Sequence, residues 1–121
     1  MVPNDRELVI HDFWMKCYQA ISNANTLISK LQNAKDVSAE KLDALEGQAR
    51  FLRAFTYFYL VRFFGPVQVT TYENQNSIET VKQSSVAEVY DTILEDLSIA
   101  ESNCLSHLRR KADRQGERRR L

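Results

Sequence analysis

From Leu45 to Gly65 the chain reads Leu-Glu-Gly-Gln-Ala-Arg-Phe-Leu-Arg-Ala-Phe-Thr-Tyr-Phe-Tyr-Leu-Val-Arg-Phe-Phe-Gly, a helical pattern whose apolar residues do not fit on one face. Leu42, Leu45, Ala49, Leu52, Thr56, Tyr59 and Phe63 form one stripe at three-and-four spacing, and Phe51, Ala54, Phe55, Phe58 and Val61 form a second. A helix apolar on two sides needs cover on two sides. This one is therefore predicted to be the centre of a helical stack, with Leu52, Phe55, Phe58 and Tyr59 the most buried residues of the chain. Glu46, Arg50, Arg53 and Arg62 occupy the remaining sector, where Glu46 and Arg50 stand in the favourable i,i+4 order. Gly65 can take the positive φ of a helix end and Pro66 cannot continue the ladder, so the helix stops there.

Two further helices flank it. The first starts near Glu7 or Leu8, with Asn4 or Asp5 as N-cap, and runs to about Gln32 or Asn33. Its stripe is Trp14, Cys17, Tyr18, Ile21, Ala24, Asn25, Ile28 and Leu31. The one amide on that face, Asn25, needs a partner, and a bond to a neighbouring helix that fixes register is the expectation rather than a ligand contact. A short connection, Asn33 to Val37, leads to Ser38 as the N-cap of the central helix, and so short a loop makes the two helices antiparallel. Beyond Pro66 the alternation of Val67, Val69 and Thr71 gives an extended segment too short to count as a sheet, followed by a polar loop to Ser84. Ser85 and Glu88 form an S-x-x-E capping box, and Val86, Val89, Tyr90, Ile93, Leu94, Leu97 and Ala100 mark the third long helix. It should cover the second face of the central helix, with Arg53 or Arg62 meeting Asp91, Glu95 or Asp96 across the seam. The fold class is all-α: antiparallel helix hairpins, three long helices, the opening of a tetratricopeptide-like array.

The run Gly-Gln-Ala-Arg-Phe-Leu-Arg-Ala-Phe-Thr-Tyr-Phe-Tyr-Leu-Val-Arg-Phe-Phe-Gly-Pro-Val resembles the signature segment of the SusD/RagB family of glycan-binding outer-membrane lipoproteins. Upstream, Trp14, Tyr18, Ile21, Ala24, Asn25 and Ile28 are similar to the family's preceding helix. Downstream, Ser85 to Tyr90 and Ile93 to Leu97 are similar to its following helix, so the resemblance spans roughly Phe13 to Leu105. Gln48 stands where the family usually has Glu, Pro66 where it usually has Asp and Gln68 where it usually has Pro, which re-shapes the turn after the central helix. The resemblance implies a non-catalytic surface protein that binds oligosaccharide and delivers it to a TonB-dependent transporter. It carries no glycan-contacting residue onto this segment, because the family's binding loops are mounted elsewhere on the array. A tetratricopeptide-like module that recognises a protein is the alternative from a different class.

Charge divides the chain. From Ser106 onward Arg109, Arg110, Lys111, Arg114, Arg118, Arg119 and Arg120 face only Asp113 and Glu117, so the tail is net +5 and the remainder net −5 within a neutral total. Residues 1–105 are expected to be a partial SusD-like repeat domain. Residues 106–121 are expected to be a basic tail, disordered or foreign to the family, as after a shifted reading frame. No aromatic is interleaved with the basic residues, so no nucleic-acid partner is expected. The first residues have neither a basic n-region nor an apolar h-region, and no stretch is long and apolar enough for a membrane span. Outer-membrane, cell-surface localisation is implied by the resemblance alone, the family's leader being expected upstream of what is written here. The third helix should leave part of its stripe uncovered and make the chain self-associate.

Catalysis is not expected. His11 and His107 lie at opposite ends without Cys, Asp or Glu at metal-ligand spacing, so neither a metal nor a cofactor is implied. Glu95 and Asp96 are adjacent and diverge by about 100 degrees on a helix, which excludes a carboxylate pair. Cys17 and Cys104 sit on apolar helix faces and read as buried free thiols, a bridge staying open until their separation is known.

Overall fold

The computed structural model describes residues 4–120, except the side chains of Ser106 and His107. Three long helices carry the fold: α1 (Asp5–Leu31), α2 (Ala39–Phe64) and α3 (Val86–Arg120). Their ends are written locally. Asn4 accepts from the Glu7 amide while the Glu7 carboxylate returns to the Asn4 amide, a reciprocal capping box that starts α1. Ser38 caps α2 through the Lys41 amide, and Ser85 and Glu88 make the expected box ahead of α3. Gly65 closes α2 at φ 72°, a conformation that favours a residue without Cβ.

Between α2 and α3 the chain makes a short strap. Strand β1 (Val67–Gln68) pairs antiparallel with β2 (Gln83–Ser84), Val67 opposite Ser84, and a 3-10 turn over Gln75–Thr80 joins them. The extended segment after Pro66 thus does find a partner, although the ladder is only two residues long.

The helices are antiparallel neighbours, α1 and α3 on either side of α2. Phe13 of α1 lies beside Phe63 and Phe64 of α2, and Asn25 beside Arg53. On the other side Arg53 meets Asp96, and a Cβ built on Gly47 would stand 3.1 Å from the Asn103 Cβ, so the absence of a side chain lets α2 and α3 approach closely. The core comprises Cys17, Tyr18 and Ile21 of α1, Ala54, Tyr57, Leu60 and Val61 of α2, Val67 of the strap, and Val89 and Ile93 of α3.

That core corrects the expected orientation of α2. Leu52, Phe55 and Tyr59 are 58, 49 and 40% exposed and Phe58 is only partly buried, whereas Ala54, Tyr57 and Leu60 are fully buried. The inward stripe is a mixture of small residues, one aromatic and the arginines: Gly47, Ala49, Arg50, Arg53, Ala54, Tyr57, Leu60 and Val61. The physical reason is that the arginine sector has a buried carboxylate to meet on α3, and the small residues beside it permit close helix approach. Cover is thus given to the side that carries Arg50 and Arg53, and the Phe51–Phe63 side is left outside.

Two further expectations change. Cys17 is buried, but Cys104 is exposed, and both thiols are free. Where an irregular basic tail was expected after Leu105, α3 continues as helix to Arg120. Leu, Ala, Arg, Lys, Gln and Glu dominate this run and are good helix formers. Its cations also have anions to meet: Arg110 lies 3.9 Å from Asp43, and Arg114 donates to Glu40, both acids in the opening turns of α2. Such exposed pairs add at most about 1 kcal/mol each.

Candidate functional site

Polar side chains on α1 and α2 converge on the α3 seam and on the strap. Arg53 holds Asp96 with a two-pronged contact, Nε to Oδ2 and Nη2 to Oδ1 both at 2.7 Å, and Arg50 adds Nη1 to Oδ1 at 3.1 Å. Asp96 is 1% exposed. Arg50 in turn meets Glu46 at 3.1 Å, the expected i,i+4 pair. Burial works against a charged Arg53, but the Asp96 carboxylate more than offsets it, so the guanidinium titrates above its ordinary range. The third prong of Arg53, Nη1, donates to Asn25 Oδ1 at 2.9 Å. Asn25 therefore has the helix-to-helix partner its position called for, and its amide nitrogen donates to the Thr70 carbonyl at 3.1 Å.

From Asn25 the network passes into the strap. The Tyr57 hydroxyl accepts from the Thr70 amide at 3.0 Å, and the Tyr18 hydroxyl donates to the Gln68 carbonyl at 2.7 Å. These side chains supply partners that a two-residue ladder cannot: the Gln68 carbonyl, and the amide and carbonyl of the buried Thr70. Burial raises the pKa of both phenols above the ordinary 10.0, Tyr18 most. The fold therefore holds their neutral forms. A phenol with a raised folded pKa stabilises fully below pH about 10, and that stability is lost as pH rises further, because the unfolded chain releases its protons first. Tyr57→Phe is expected to cost about 1–3 kcal/mol at neutral pH, by stranding the buried Thr70 amide, and to flatten the alkaline limb of a urea-melt series between pH 9 and 11.

Pinning the strap sets one wall of a cleft of about 490 Å³, whose other wall is α1: Trp14, Tyr18, Gln19 and Ser22 face Gln75 and Ile78. Trp14 packs on Tyr18 with ring centroids 4.6 Å apart. Gln75 donates through Nε2 to Thr26 Oγ1 at 3.2 Å, while its Oε1 is buried without a partner. The cleft therefore has an indole edge and exposed Gln19, a modest set of anchors for a polyhydroxylated ligand.

The outer side of α2 is a row of rings. Phe51, Phe55, Tyr59 and Phe63 follow one another with centroids 6.2, 4.8 and 6.4 Å apart, and Phe13 of α1 joins at Phe63 from 5.4 Å.

Sites sought for chemistry do not assemble. His11 is exposed on α1, and the His107 side chain lies outside the described residues. Among the described residues no group of His, Cys, Asp and Glu could hold a metal ion. Glu95 points to solvent while its neighbour Asp96 is buried against the arginines. The strap-pinning roles of Tyr18, Tyr57 and Thr70 were not apparent from the sequence. An aromatic hydroxyl inside an apolar stripe was the available signal.

Residues 3–110 match a family described as starch-binding and associating with the outer membrane, SusD-like. The chain belongs to the SusD-like family. It is 34% identical over 94 residues to SusD-like protein P2 of Formosa agariphila, covering 76% of this chain and 18% of that protein. Against a SusD-like protein of Bacteroides ovatus the identity is 30% over 95 residues, 74% of this chain and 17% of the other. The crystal structure of a SusD superfamily protein from Parabacteroides distasonis superposes with TM-score 0.71 at 37% identity, covering 77% of this chain and 20% of that one. A further structural neighbour, 27% identical with TM-score 0.67 over 75% of this chain and 18% of its own, was solved with a xylogluco-oligosaccharide. The chain thus spans about a fifth of the length of the relatives it matches. SusD-like proteins bind carbohydrate and are not enzymes.

Proposed function

We propose that this chain is a scaffold segment of a glycan-binding, cell-surface lipoprotein that hands oligosaccharides to a TonB-dependent transporter. The observation that carries the proposal is the family match over residues 3–110, supported by the agreement in helical architecture with relatives about five times as long. The geometry supports a scaffold role. The buried Asn25, Thr70 and Asp96 all bond to neighbouring elements, locking α1, α2, α3 and the strap, and among the described residues only the Gln75 side-chain oxygen is left over. A cleft with so few fixed donors cannot repay the ordering of a sugar's hydroxyls by itself.

Titration of starch- and xyloglucan-derived oligosaccharides into the purified chain is therefore expected to show no saturation below millimolar sugar, and no glycoside cleavage. The delivery role is tested in cells. Deleting the gene that carries this segment should abolish uptake of one fluorescent oligosaccharide from such a panel, and a TonB-dependent transporter should co-purify with the tagged product. Unchanged uptake of every sugar, with no transporter recovered, overturns the proposal.

A further inference from the structure

We infer that Asp96, Arg53 and Asn25 act in series as positioning residues for the strap wall of the Trp14 cleft, so that the seating of α3 on α2 sets the shape of a loop that Asp96 never touches. The Asp96 carboxylate takes one whole edge of the Arg53 guanidinium, Nε and Nη2, each at 2.7 Å, while Arg50 holds the same carboxylate at 3.1 Å. A guanidinium is planar and rigid, so fixing one edge fixes the heading of its third nitrogen. That nitrogen, Nη1, lies 2.9 Å from Asn25 Oδ1.

The amide of Asn25 then has a single orientation. A guanidinium only donates and a backbone carbonyl only accepts. Arg53 therefore claims Oδ1, and Nδ2 is left to face the Thr70 carbonyl at 3.1 Å, with Thr70 Oγ1 at 3.4 Å. The reversed amide would set donor against donor at one end and oxygen against oxygen at the other. Asn25 and Thr70 are 2 and 4% exposed, so solvent does not make up the difference.

The Thr70 carbonyl shares a peptide plane with the Thr71 amide, and across a trans bond the two point opposite ways. Holding the carbonyl on α1 turns the Thr71 N–H toward Asn74 Oδ1, 2.7 Å away, and the Thr71 carbonyl accepts from the Gln75 amide at 3.0 Å. This turn delivers Gln75 to the cleft wall, where its Nε2 donates to Thr26 Oγ1, next to Asn25 on α1. The series closes within the chain, whatever lies against its outer surfaces. The Tyr18 and Tyr57 bonds to the strap do not pass through Asp96, so cutting the series loosens the turn without detaching the strap.

Amide hydrogen–deuterium exchange, read by mass spectrometry on the full-length gene product, tests this coupling by comparing residues 70–76 of the strap with residues 54–61 in the middle of α2. Asn25→Asp keeps the size and the acceptor for Arg53 but sets a second oxygen against the Thr70 carbonyl; exchange over 70–76 should quicken about tenfold or more relative to 54–61. Asp96→Asn, on a different helix, should quicken the same strap segment relative to the same reference, whereas Arg50→Gln, which also removes a contact to Asp96 but reaches nothing on the strap, should leave the ratio unchanged. Combining Asn25→Asp with Asp96→Asn should add nothing to the ratio beyond the larger single effect, because the series is already cut. If Asn25→Asp fails to fold, Arg53→Lys carries the test, since a lysine keeps a cation beside Asp96 and lacks the third prong; it too should quicken the strap relative to α2. An Asp96→Asn variant that quickens both segments alike overturns the coupling, as a mere loss of stability would do that. So does full additivity of the two substitutions, a strap as protected as wild type in Asn25→Asp or Arg53→Lys, or an equal change of ratio in Arg50→Gln.

Discussion

Asp96→Ala lowers the unfolding free energy by roughly 3–5 kcal/mol in a urea melt, because it leaves two largely buried guanidinium groups facing a cavity instead of a carboxylate. Arg53 loses both of its short contacts, and Arg50 keeps only Glu46. The size of this effect measures the penalty of an unpaired buried charge, not the net value of the pair. Replacing both partners by apolar residues separates the two quantities: Arg53→Met combined with Asp96→Leu should recover at least half of the loss, since neither desolvated charge then remains at the centre of the seam. A double variant no more stable than Asp96→Ala would show that Asn25, left without its Arg53 donor, or a change in helix separation dominates instead.

The second large effect is a contrast within α2. Leu60→Ala should cost about 2–5 kcal/mol, by opening a cavity among Tyr57, Val61 and the facing helices. Phe55→Ala should cost less than about 1 kcal/mol, although it removes more atoms, because half of the ring already meets water. Melts of the two variants under identical dilute conditions decide the matter. Equal losses would mean that the ring row is covered in the molecule as it melts.

That contrast also shows what periodicity can and cannot tell. Caps and the ends of α1 and α2 were legible because they depend on neighbours in sequence: Asn4 with Glu7, Ser38 with Lys41, Ser85 with Glu88, and Gly65 before Pro66; the far end of α3 was not. The Arg53–Asp96 contact and the need of Asn25 for a partner were legible too, since a charge or amide within a packed seam has few places to go. The inward side of α2 was not. Apolar residues surround the helix almost evenly, so no stripe is distinguished by hydrophobicity, and the largest rings are a misleading guide. Size and charge hold the information instead. Gly47, Ala49 and Ala54 mark the side where backbones come close, and Arg50 and Arg53 mark the side facing the one acid on the buried stripe of α3, Val89, Ile93, Asp96 and Ala100. The cleft beside Trp14 was invisible for another reason: its second wall is a loop positioned by side chains roughly fifty residues away.

Those distant bonds also imply an order of folding events. The α1–α2 hairpin joins segments linked by a short loop, and α3 follows directly from the strap, so most helix pairing closes small loops at low entropic cost. The Tyr18–Gln68 and Asn25–Thr70 bonds span 50 and 45 positions and require α1, α2 and the strap to be in place together. On this order the segment from Pro66 to Ser85 starts as a loose tether between the α1–α2 hairpin and α3, and it becomes a wall of the molecule only when the last phenol and amide find their carbonyls. Nascent chains that have docked three helices but not yet seated Thr70 would have native-like helicity without the cleft. The strap is thus expected to be the last part of the architecture to acquire its shape, which pulsed hydrogen exchange at the Thr70 amide during refolding would show as late protection.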